Sequence, residues 1–135
     1  MIDTKVLLLL VPTLCGLTWA EEPAPFSEAD MLPVRSALLS PGDVDHRTLD
    51  APGLPPLFLI GDDPRSQAWL QRLYPTLHEL NAVGLVVNVD SPTALDQLRK
   101  LAPELILSPV SADDLAQRLN LQHYPVLITA EAIEQ

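Results

Sequence analysis

Thiols are all but missing from this sequence, which has one cysteine, Cys15, in 135 residues. Cys15 lies inside the first twenty residues, which read as a removable leader. Without them the chain has no sulfur nucleophile, so disulfides, thiolate metal ligands and thiol redox chemistry are excluded from the remainder. Basic charge is also short. Eight Lys and Arg stand against eighteen Asp and Glu, a net charge of −10. That balance disfavours a phosphate backbone as direct partner, and no basic cluster offsets it. Glycine is scarce, with five residues, and no G-x-S-x-G nucleophile elbow occurs. Long apolar runs are missing too: the longest early one, Val6 to Leu10, is too short to span a bilayer.

Proline, by contrast, is abundant, at 14 residues, many of them early. Three regions follow. Residues 1–20, "MIDTKVLLLLVPTLCGLTWA", have Lys5 ahead of the apolar run and Thr18-Trp19-Ala20 ahead of Glu21-Glu22, the pattern of a cleaved secretory signal peptide. Acylation at Cys15 is the alternative, but Leu14 stands where a small residue is wanted. A periplasmic protein with no stable membrane span after cleavage is the expectation. Residues 21–56 are a Pro-rich arm, expected to be partly extended and less ordered. Its apolar patch from Met31 to Leu39, bracketed by Pro33 and Pro41, suggests an edge strand.

From residue 57 to 135 the pattern is regular. "LFLIG" reads as a buried strand. Asp62 or Asp63 then caps a helix with Pro64 in its first turn and Leu70, Leu73, Leu77 and Leu80 on one face; Pro75 should kink or split it near Tyr74. "GLVVNV" is a second strand. Ser91 caps a second helix with Leu95, Leu98 and Leu101 inward. "LIL", residues 105–107, is a third strand. A third helix starts with a Ser111-x-x-Asp114 capping box, and "PVLIT" is a fourth strand. The last six residues are too few to assign. Alternating strands and helices with nearly continuous apolar strands imply an α/β domain with a mainly parallel sheet.

"LNLQHYPVLIT" resembles the region of thioredoxin-like folds where a cis proline opens a strand beside the active loop. The Tyr124–Pro125 bond is therefore expected to be cis, against a low base frequency for X-Pro bonds. Where a thioredoxin would carry Cys-x-x-Cys, this chain has Asp63-Pro64-Arg65-Ser66. A thioredoxin-like domain, truncated or degenerate, is the expected fold. Either the arm completes its sheet or an edge is left open. Together, "PLFLIGDD", "AVGLVVNV", "DDLAQRL" and "HYPVLIT" resemble the integrating conjugative element protein family, a domain family of unknown function, over roughly residues 30–135. More distantly, the chain is similar to TrbC-type pilus-assembly proteins, which are periplasmic and thioredoxin-like. The resemblance implies a part in conjugative DNA transfer, with other proteins of the type IV secretion apparatus as partners. It brings no established catalytic residues and implies no cofactor.

The expected working surface is the degenerate active-site face: Asp62, Asp63, Arg65, Ser66, His123, Tyr124 and Pro125. Other readings stay open. Asp62 and Asp63 could hold a metal or act as a base at a strand end, or simply cap the helix; the same choice holds for Asp113-Asp114. Ser66 could be a nucleophile with His123 as its base, in a hydrolase. The three histidines lack metal-ligand spacing. Trp69, Tyr74 and Tyr124 could form an exposed aromatic patch suited to a protein partner, or Trp69 could be core. Beside non-catalytic protein contact stand two alternatives: a hydrolase, and a holdase for an exported pilus subunit.

Overall fold

A computed structural model describes residues 28–135; the expected leader, with Cys15, and the arm up to residue 27 lie outside it. Among the described residues are a short 3-10 helix at Glu28–Met31, eight strands and three α-helices. In chain order these are β1 (Ser40–Pro41), β2 (Arg47–Thr48), β3 (Leu57–Gly61), α1 (Pro64–Glu79), β4 (Val83–Asn88), α2 (Pro92–Leu101), β5 (Leu107–Pro109), α3 (Asp113–Leu119), β6 (His123–Tyr124), β7 (Val126–Ile128) and β8 (Ala132–Glu134).

The main sheet is mixed, in the order β2-β8-β7-β3-β4-β5. β3, β4 and β5 run parallel; β7 is antiparallel to β3, β8 to β7, and β2 to β8. Side chains alternate between two cores, as the pleat requires. Phe58, Ile60, Val86 and Leu127 join α1 and α2 through Trp69, Leu70, Leu77, Leu95 and Leu98. Leu59, Val87, Val126, Ile128 and Ile133 meet α3 and the arm through Ala116, Leu121 and Leu39 on the other face. Each fully buried aliphatic or aromatic side chain contributes about 1.5–3 kcal/mol. Gly84 makes room for this packing, since a Cβ there would stand 2.5 Å from both Phe58 and Leu107.

The local chemistry explains most of the elements. Asp63 and Ser91 cap α1 and α2, accepting from the backbone of Ser66 and Ala94, and each helix has proline in its first turn. Several expectations are corrected. α1 runs unbroken through Pro75. Proline removes the donor for the carbonyl of Gln71, but both residues are exposed, so water can replace the lost bond. Leu80 is an exposed C-cap residue and Leu101 is half-buried. The third strand is Leu107–Pro109 instead of residues 105–107, because Ile106 points to solvent at 64% exposure. Ser111 and Asp114 form no capping box. Ala112 is the N-cap of α3 and makes no side-chain bond there, while the carboxylate of Asp113 accepts from the backbone N–H groups of Ala37 and Leu38.

The largest correction concerns the arm. Residues 31–39 form no edge strand. Val34 makes an isolated antiparallel bridge to Val89, and the chain then turns, with Leu39 N–H donating to Ser36. The described arm is packed against the domain: Val34, Ser36 and Leu39 are buried. It also supplies β2, which pairs outside β8, and β8 itself arises from the residues left unassigned. Together they extend the sheet beyond β7.

Candidate functional site

β3 ends at Gly61, and the chain turns directly into α1. Asp63 sits at this junction in extended backbone, and its two carboxylate oxygens are both engaged. One accepts from Ser66 N–H at 2.9 Å, the other from the Ser66 hydroxyl at 2.8 Å. The same hydroxyl accepts from Gly61 N–H at 2.9 Å. Ser66 is therefore a buried joint between strand end and helix start. Asp62 points elsewhere: its carboxylate accepts from Asp90 N–H at 3.1 Å, and its own N–H donates to the carbonyl of Asn88. This bond ties the ends of β3 and β4 together.

Tyr124 closes the junction from the far side. The Tyr124–Pro125 bond is cis, as is Leu32–Pro33. The phenol ring lies so close to Gly61 that a Cβ there would meet it at 2.6 Å, and the hydroxyl accepts from the Asn88 side-chain amide at 3.2 Å. Burial pushes the Tyr124 phenol above its ordinary pKa; the Asn88 bond opposes this, and the negative charges of Asp63 and Asp62 reinforce it.

Over this junction runs the arm, residues 34–43, as a strap. Ser36 N–H donates to the Asn88 side-chain oxygen, and the Ser36 hydroxyl donates to the Val87 carbonyl while accepting from Ala112 N–H. Arg35 pairs with Asp90, and Asp43 with Arg65. β1 lies parallel to β6; Ser40 N–H donates to Gln122 and Gly42 N–H to Tyr124. The backbone ahead of Pro125 is thus already paired by the chain's own β1.

Of the expected site residues, Arg65 is exposed, Asp62, Asp63 and His123 are half-buried, and Ser66, Tyr124 and Pro125 are buried. Ser66 and His123 are not brought together as a bonded pair: the His123 ring hydrogen-bonds Ser40 at 3.2 Å, over Gly42. His78 is exposed and pairs with Glu104. Among the described residues, no three His, Cys, Asp or Glu side chains group as a metal set. The aromatic patch does not form, because Trp69 is buried beside Phe58, Tyr124 is buried, and Tyr74 packs half-buried beside His78. Two open clefts flank His123. One, of about 330 Å³, lies between Asp43–Arg47 and the α3–β6 connection; the other, about 490 Å³, is lined by Leu38 and Ala116. A third, about 210 Å³, opens beside α1 at Arg65, Arg72 and Pro125. Sequence reasoning missed Asn88, Ser36 and Gly61 in this assembly; each acts through contacts that no local pattern announces.

A mixed α/β domain with a polar, strapped junction at one end of its parallel strands is the class these features define. The chain belongs to the family described as "Protein of unknown function (DUF2859)", which matches residues 17–133. No curated protein and no solved structure matches the chain. Among the described residues, no helix is long and apolar enough to cross a membrane.

Proposed function

We propose that this protein is a non-catalytic periplasmic component of a conjugative type IV secretion apparatus, built on a degenerate thioredoxin-like domain and acting through protein contacts. The observation that carries the reading is the chemistry at the start of α1. In a thioredoxin this position offers reactive thiols beside a cis proline. Here the cis Tyr124–Pro125 bond is kept, but the equivalent side chains, Asp63 and Ser66, are spent on each other and on backbone groups. The geometry supports a scaffold at this position more than a reacting group.

The order β8-β7-β3-β4, with β7 antiparallel to the parallel pair β3-β4 and β8 antiparallel to β7, also supports the thioredoxin-like reading. The parallel β5 and the strap of the arm are additions to it. The role in conjugation rests on the sequence resemblance. In this picture Asp62, Asp63, Arg65 and His123 form the accessible part of the partner face, and Ser66, Tyr124 and Pro125 fix its shape.

The test is a clean deletion of the gene in a donor strain, with mating frequency as readout and complementation by the wild-type gene. Transfer should be lost and then restored. Unchanged transfer in the deletion would sink the reading.

A further inference from the structure

We propose that the cleft beside α1 is a docking site for an acidic segment of a partner protein, with Arg65 and Arg72 as its carboxylate anchors. This deepens the proposed function, because an acidic polypeptide is a partner only if the chain works by protein contact. The cleft measures about 210 Å³ and is lined by Arg65, Ala68, Trp69, Arg72, Pro125 and Gln135. None of these side chains is acidic, in a protein whose net charge is −10. A local cationic cleft on such a surface is what charge complementarity to an acidic partner needs.

Arg72 is uncommitted and Arg65 is held by one exposed ion pair. Among the described residues, Arg72 makes no hydrogen bond or ion pair. Arg65 pairs with Asp43, but the Asp43 side chain is 90% exposed, so the pair contributes little and is readily exchanged. The floor of the cleft is firm. Pro125 and Trp69 are buried, and the Gln135 amide is fixed by donating to the carbonyls of Gly42 and Pro125, both at 2.8 Å. Trp69 also carries the one buried side-chain polar atom without a partner among the described residues, its indole nitrogen.

The spacing favours a chain over a single small anion. Arg65 and Arg72 are two helical turns apart, about 10 Å along the axis. Alternate residues of an extended segment stand about 7 Å apart on one face, and flexible arginine side chains close the difference. The occupant is therefore an extended segment with acidic residues at alternate positions.

The experiment titrates the full chain with a short fluorescein-labelled peptide of alternating glutamate and alanine, followed by anisotropy. Controls are its glutamine counterpart, the same titration with equimolar acetate, and the Arg65→Gln/Arg72→Gln double variant. Both substituted residues are exposed, so circular dichroism should show the fold unchanged. The glutamate peptide should bind at low salt, with affinity about tenfold weaker in the double variant, weaker with added salt, and insensitive to equimolar acetate. Equal binding by the glutamine peptide, equal binding by the double variant, or no binding at all would overturn the site. Mating separates the two proposals. If transfer depends on the gene yet survives in the double variant, the cleft falls and the secretion role stands; if transfer survives deletion, the secretion role falls.

Discussion

Asp63 and Ser66 show how one residue pair fixes the junction between β3 and α1. Asp63→Ala removes the helix cap and leaves the hydroxyl of fully buried Ser66 without an acceptor. The combined cost should be about 2–4 kcal/mol. Asp63→Asn keeps one acceptor oxygen and should cost about half as much, and a lowered urea midpoint without a changed slope would report both. Tyr124 makes a prediction in pH. Its phenol is raised above the ordinary value of 10.0 chiefly by burial. The folded state therefore holds this proton where the unfolded chain releases it. That contribution to stability is fully present below pH 10 and is lost as pH rises through the raised folded value. Tyr124→Phe should flatten this alkaline loss relative to wild type in denaturation series between neutral pH and about pH 11. The cap Ser91, and a cap at Asp62 or Asp63, were legible in the sequence because a cap is a local pattern of a short polar residue, proline and an apolar stripe. The burial of Ser66 was not, because its environment is made by Tyr124 and the strap, far away along the chain.

At the scale of elements, β3, β4, α1 and α2 were legible because apolar periodicity and start signals coincided in each. The failures have physical causes. β5 was placed two residues early because Ile106 is apolar yet exposed. The break in α1 was expected from Pro75 alone, and the exposure of Gln71 and Pro75 removes most of its penalty. Pro75→Ala should thus restore a backbone bond but raise stability by only about 1 kcal/mol, visible as a slightly higher melting temperature. The strap was invisible to pattern reading. It is held by single anchors to partners far along the chain, above all Ser36 with Val87 and Ala112, both more than fifty residues away. Ser36→Ala orphans a buried carbonyl and a buried N–H at once. It should cost about 2–4 kcal/mol and also speed hydrogen exchange at Ser40 and Gly42, whose N–H groups bond to Gln122 and Tyr124. Slow exchange at both amides in the variant would mean that the strap is held by Leu39 burial and the β1–β6 pairing without help from Ser36.

For the whole molecule, the governing quantity is charge. Eighteen acidic side chains against eight basic ones give a self-repulsion that the compact state concentrates and the unfolded chain relaxes. The resolved ion pairs do little to offset it. Arg35–Asp90, Arg65–Asp43 and Arg99–Glu28 all involve partly or largely exposed side chains, and such pairs contribute at most about 1 kcal/mol each. Salt acts on both terms with opposite sign: it weakens the pairs and screens the excess of negative charge. With few cations available for pairing, the second effect should win. Melting temperature should therefore rise between about 10 mM and 150 mM salt, as the screening length contracts from about 30 Å to about 8 Å. A falling melting temperature over that range would show that the strap's ion pairs, which close the junction over Asp62 and Tyr124, stabilise the fold more than the net charge destabilises it.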